Sequence, residues 1–159
     1  MKIKEAYRGD YTLSTDKTKL DISKIHSFLS KETDWSHGIP LDTLKISIDN
    51  SLNFGLYDKN QQIGYARIIS DYATIAYLGD VFVLEAYRGK GLSTWLIHEI
   101  MEHPNLQGLR RWILLTDTAE WLYKKFGFTE LPHPEVYMEK HNPNVYKSSR
   151  ISNPINSSL

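Results

Sequence analysis

The sequence predicts an α/β domain on a mixed β-sheet, and three observations predict it. Helical and strand-like periodicities alternate along the chain. The run Ile75–Leu84 (IAYLGDVFVL) is almost continuously apolar between turn residues, which predicts a strand buried on both faces. Two glycines, Gly89 and Gly91, then separate that strand from an amphipathic helix.

The elements follow in order. Tyr11–Ser14 is a short first strand. A helix runs from Asp21 to Ser30, with Ile22, Ile25 and Leu29 on one face and Asp21 as N-cap. Pro40 opens a second helix that sets Leu41, Leu44 and Ile48 against Asp42, Lys45 and Asp49. Ser51–Tyr57 and Gln62–Ser70 form a hairpin about the turn Asp58-Lys59-Asn60. After the apolar strand, Leu92, Trp95, Leu96 and Ile100 mark the inward face of a helix that stops before Pro104. Trp112–Thr116 is the next strand, and Ala119–Phe126 is a short helix closed by Gly127. Val136–Glu139 is expected as a last strand. Trp95, Trp112 and Trp121 are expected in the core.

At 159 residues one domain is expected, spanning residues 1–141. Residues 142–159, dominated by Ser, Asn and Pro, read as a tail, either mobile or latched to the surface by Val145, Tyr146 and Ile151. Lys plus Arg and Asp plus Glu both number 19, and zero net charge argues against nucleic acid or an acidic membrane as the main partner. The absence of cysteine excludes disulfides, thiolate metal sites and a cysteine nucleophile. No apolar leader or membrane-length run stands out, so a cytoplasmic protein is expected. His98 and His103 stand five apart, on different helix faces, where a zinc helix needs four, so no metal is expected.

The chemistry concentrates at Arg88-Gly89-Lys90-Gly91-Leu92-Ser93, a strand-to-helix turn. Glycines there permit positive φ and close approach of a ligand. The helix that follows points unpaired N–H groups and its positive dipole end into the turn, and Arg88 and Lys90 add charge. Phosphate is the ligand such a turn suits. The turn is not a GxxxxGK[ST] loop, and Thr94 occupies the last glycine position of a dinucleotide GxGxxG.

The turn resembles the coenzyme A loop of the Gcn5-related N-acetyltransferases (GNAT), Q/R-x-x-G-x-G/A, through Arg88, Gly91 and Leu92. Ser93 replaces the usual Gly or Ala, and its hydroxyl either donates to a phosphate or crowds the loop. About 30 residues on, Ala119-Glu120-Trp121-Leu122-Tyr123-Lys124-Lys125-Phe126-Gly127-Phe128 resembles the family's A-x-x-L-Y-x-x-x-G-F segment. The order of elements agrees from Asp21 to about Lys140.

The resemblance implies a mostly antiparallel central sheet flanked by helices on both faces. It implies acetyl-CoA as acyl donor, its pantetheine arm bonded to the backbone of Val81, Phe82 and Val83 like an added strand. Its pyrophosphate would meet the N–H groups of Gly89, Lys90, Gly91, Leu92, Ser93 and Thr94. Thr116 stands where many members carry an asparagine that contacts the cofactor. An amine attacks the thioester directly, without an acyl-enzyme. Tyr123 matches the tyrosine that protonates the departing thiolate.

The base is less determined. Asp80 interrupts the apolar strand, and a buried carboxylate must be paired or have a raised pKa. It serves either as base for the amine, through a water, or as a structural partner. Trp35 and His37, between the first two helices, either line the acceptor pocket or pack as a linker. The expected function is acetyl transfer to an amine of a small molecule or an exposed amino group. A non-catalytic acyl-CoA sensor is the alternative, O-acetyl transfer is a weaker one, and a homodimer is compatible with the family.

Overall fold

A computed structural model of the chain describes residues 1–148. Six strands form one sheet in sequential order, β1 (Glu5–Arg8), β2 (Tyr11–Ser14), β3 (Leu52–Asp58), β4 (Gln61–Ser70), β5 (Ile75–Val83) and β6 (Arg111–Ile113). Neighbours are antiparallel from β1 to β5, and β6 joins β5 in parallel. Helices α1 (Ile22–Glu32) and α2 (Leu41–Asp49) precede β3. Helix α3 (Leu92–Met101) connects β5 to β6, α4 (Glu120–Lys124) follows β6, and α5 (Val145–Ser148) is a single turn.

Local chemistry sets the helix starts. Asp21 accepts a hydrogen bond from the Lys24 N–H and caps α1, as its position predicts. Pro40 heads α2, where a missing N–H costs nothing. Each face of the sheet then buries its own apolar cluster. One joins Leu56, Ile63, Ala66, Leu78 and Val83 of the sheet to Leu92, Leu96, Ile97 and Ile100 of α3 and Leu122 and Tyr123 of α4. The other joins Tyr65 and Phe82 to Ile25, Phe28 and Leu29 of α1 and Leu44 and Ile48 of α2. The Phe28 and Phe82 rings stack at 3.9 Å, so α1 rests directly on β5. Helices on both faces of a mixed, mostly antiparallel sheet are the architecture the sequence predicts.

Several elements differ from expectation. β1 was not visible in the sequence, because EAYR shows no apolar alternation. Its place comes from pairing with β2 and from Lys4, whose Nζ lies 3.1 Å from Glu99 Oε2 of α3. β5 is not buried on both faces throughout. It breaks at a bulge where Tyr65 pairs Phe82 but Arg67 pairs Gly79. The extra residue reverses the alternation: Ala76 and Leu78 face the α3 cluster before it, and Val81 and Val83 after it. Two half-buried strand segments of opposite phase thus mimic one continuous apolar run. Among the described residues no strand forms at 136–139. Pro134–Val136 is a 3-10 turn instead, and Val136 and Met138 are exposed. β6 ends three residues short of the predicted Thr116. Trp121 is 58% exposed rather than core, and Ile97 joins the inward face of α3. Tyr146 of α5 packs against the α1–α2 cluster; Ile151 lies outside the described residues.

Candidate active site

The site lies where β5 leaves β6. The two strands pair only at Ile75–Arg111, Ala76–Trp112 and Tyr77–Ile113. Among the described residues no strand pairs with that edge of β5 beyond Tyr77, so the backbone from Leu78 to Val83 has no strand neighbour on that side. The predicted Val81, Phe82 and Val83 are there. Val81 is half-buried, while Phe82 and Val83 are buried on opposite faces.

At the end of β5 a 3-10 turn, Glu85–Tyr87, leads into the glycine turn. Gly89 (φ +76°) and Gly91 (φ +73°) both adopt the left-handed conformation that favours glycine. Gly91 is the N-cap of α3, and no side chain caps the helix. Helical bonding begins with the Trp95 N–H on the Gly91 carbonyl. Among the described residues no acceptor meets the N–H groups of Gly89, Lys90, Gly91, Leu92, Ser93 or Thr94. Six consecutive donors at the positive end of a helix form an anion cradle.

The cations around it are disposed unequally. Arg88 turns back and donates from Nε to the Val83 carbonyl at 3.1 Å. Lys90 Nζ sits 5.1 Å from the centre of the Tyr87 ring, and the Tyr87 hydroxyl donates to Asp58. Arg8, from β1, reaches the Gly91 carbonyl at 3.4 Å. Nothing local in the sequence signals Arg8, because 83 residues separate the pair. Thr116 is half-buried, and its hydroxyl accepts the Ala119 N–H at 3.0 Å at the head of α4. That bond leaves the hydroxyl's proton available to a second partner.

Tyr123 of α4 belongs to the α3-face cluster and is 7% exposed. Phe128 meets its ring edge-on at 5.9 Å. The hydroxyl has no hydrogen-bond partner among the described residues, yet it is not sealed from solvent. Burial pushes the phenol up to about 12.

Asp80 stands at the bulge with φ +53°, a left-handed conformation that Asp tolerates better than most side chains. Its Oδ2 accepts from Arg67 Nε of β4 at 2.6 Å, and its Oδ1 accepts from Trp35 Nε1 at 3.2 Å. Arg67 also donates to the Ser51 hydroxyl. The ion pair is largely buried, with side chains 16% and 9% exposed. Trp35, on the α1–α2 connection, is itself 61% exposed and covers the carboxylate like a flap. His37 is exposed and does not join this group. Sequence reasoning missed Arg67, although a lone arginine in the apolar strand IGYARIIS was a signal that a buried carboxylate faces it.

Among the described residues no helix is long and apolar enough to cross a membrane.

Residues 49–130 match the family model "Acetyltransferase (GNAT) domain". A protein of Gibberella zeae named "Putative acetyltransferase" is 34% identical, over 74% of this chain and 78% of that protein. A crystal structure from Xanthomonas campestris pv. campestris, described as a "putative acetyltransferase belonging to the gnat family", is 49% identical. It covers 86% of this chain and 96% of its own with a TM-score of 0.84. A "predicted acetyltransferase with acetyl-CoA" from Clostridium acetobutylicum shares the fold at 15% identity and a TM-score of 0.59, covering 88% of this chain and 95% of its own. With the strand–turn–helix cradle inside the matched segment and both relatives aligned over most of their length, the chain belongs to the GNAT family of acetyltransferases.

Proposed function

We propose that this protein transfers an acetyl group from acetyl-CoA directly to an amine of a small molecule or an exposed amino group. The observation that carries the reading is the run of free N–H groups from Gly89 to Thr94 beside the uncovered edge of β5. The cradle fits a pyrophosphate. The open edge fits an amide-bearing arm that needs backbone partners. The C. acetobutylicum neighbour, solved with acetyl-CoA, supports this donor. Bound there, acetyl-CoA supplies an activated thioester. The chain's part is to hold it at Val81–Val83 and at the turn, to orient the amine, and to manage two protons.

Tyr123 protonates the leaving sulfur. A phenol pushed up to about 12 keeps its proton at neutral pH, so it is available to the sulfur as the C–S bond breaks and the C–N bond forms. Asp80 faces the amine side. Arg67 and Trp35 hold the carboxylate in one orientation, and a remaining lone pair takes the amine's proton through a water. No acyl-enzyme is required, which suits a chain without cysteine. Calorimetric titration with acetyl-CoA, with ATP as control, tests the cradle. Micromolar binding of acetyl-CoA with ATP silent, followed by thiol release on adding amines, is expected. Absence of binding would overturn the reading, and binding without turnover on any amine would favour the sensor alternative.

A further inference from the structure

A groove of about 450 Å³ runs along the solvent side of α3, starting at the turn. Gly91, Thr94, Trp95 and His98 form its floor, at positions that share one helix face. Phe126 stands on its wall, and Arg8 lines it too. Because the groove opens at Gly91, it is continuous with the anion cradle. A ligand whose diphosphate sits on the N–H groups of residues 89–94 can extend into it.

Arg8 is the cation of this groove. Arg88 and Lys90 are engaged elsewhere, the one at the Val83 carbonyl and the other over Tyr87, and neither lines it. The Arg8 side chain forms no ion pair among the described residues, and its one hydrogen bond to them is the 3.4 Å contact with the Gly91 carbonyl. Its position is built. β1 pairs with β2 along its whole length, and Lys4 ties the strand to Glu99 on α3. Arg8 lies outside the family-matched residues 49–130, so the matched segment alone does not supply it.

We propose that Arg8 is a specificity residue for the acyl donor, binding the 3′-phosphate of its adenosine end, with Trp95 and Phe126 as the apolar surfaces beside the base. This rests on the acetyl-CoA reading above. A guanidinium suits a phosphate through paired N–H donors, and a phosphate monoester near neutral pH carries close to two charges. The adenosine end of coenzyme A offers that group next to an apolar heterocycle, which matches an aromatic groove with one cation.

The test is the affinity of acetyl-CoA and of 3′-dephospho-acetyl-CoA, measured by calorimetry on the full chain and on Arg8→Gln. Arg8 is exposed, and thermal melts of the variant verify its fold. The unaltered protein is expected to prefer acetyl-CoA by about 10- to 100-fold, the range of one charged hydrogen-bonded pair. Arg8→Gln should bring the two donors within about twofold, mainly by weakening acetyl-CoA, and Arg8→Lys should restore part of the preference. Equal affinity in the unaltered protein, or an unchanged preference in Arg8→Gln, would overturn the assignment while leaving the acetyl-CoA site standing. Failure to bind either donor would remove the assignment together with the reading on which it rests.

Discussion

Tyr123 combines a buried ring with a hydroxyl that no described residue engages, and that pairing defines its variant. Tyr123→Phe keeps the edge-on contact with Phe128 and removes only the proton. Turnover should fall about 100-fold or more while acetyl-CoA affinity stays within about twofold, checked by steady-state kinetics beside calorimetry. With the phenol pushed up to about 12, its ionisation produces no alkaline fall in rate below about pH 10. Asp80 carries two roles that its variants separate. Asp80→Ala leaves Arg67 buried without its carboxylate and places Ala at φ +53°, so a loss of about 3–5 kcal/mol is expected in urea denaturation. Asp80→Asn retains shape and can still accept from Trp35. A base role predicts a fall in turnover far larger than any loss of stability explains. An anchoring role predicts turnover near that of the unaltered protein once thermal melts verify the fold. Tyr123 and the glycine turn were legible in the sequence because their signatures are local. Arg8 and Arg67 were not, because each acquires its partner only when distant strands come together.

Two glycines near β5 make opposite demands on their elements. A Cβ on Gly64 of β4 would lie 2.8 Å from the Phe82 carbonyl oxygen, which is backbone and cannot swing away. Gly64→Ala should therefore cost about 1–3 kcal/mol and loosen the β4–β5 pairing, read by denaturation and by amide exchange of β5. Gly89 has open space around it, so Gly89→Ala meets only the cost of positive φ, about 1–2 kcal/mol. Its larger effect should be on acetyl-CoA affinity, since relief of that strain turns the cradle's N–H groups. The same strand shows where element prediction succeeds and fails. Periodicity identified β5 and its limits nearly to the residue. It could not register a bulge, because adding one residue turns two alternating patterns into an unbroken apolar one. The expected strand at 136–139 failed for the converse reason: Val136 and Met138 read as strand residues, but Pro134 starts a turn and no neighbouring strand pairs with the segment.

Across the whole molecule, several groups outside the site tune acid stability, and two of them act in separate pH ranges. His103 is 2% exposed, its Nδ1 accepts the Asn105 N–H, and its ring meets Phe54 edge-on. Burial lowers its pKa below the ordinary 6.5, so the unfolded chain takes up a proton before the folded one does. Stability should therefore decline as pH falls through 6.5 toward the lower folded value. Glu5 acts further down. Hydrogen bonds from Lys19, Tyr7 and Ser14 hold its carboxylate at about 2, so its contribution is complete above about 4.5 and is lost as pH falls toward 2. Denaturation midpoints from pH 8 to pH 3 should show two declines, and His103→Gln should remove the upper one. From α1 to α4 the order of helices and strands was readable, since each of these elements carries its own apolar pattern. The first strand, held by Lys4, Glu5 and pairing with β2, was not.

The short contact between β5 and β6 has a further consequence, for handling the protein. An uncovered strand edge accepts any extended chain that offers hydrogen-bonding groups, including another copy of the same protein. A donor arm lying along Leu78–Val83 would occupy the place such a chain would take. Substrate would then act as a solubiliser as well as a reactant: preparations stripped of it should cloud on concentration and warming, and those kept with a slight excess should stay clear.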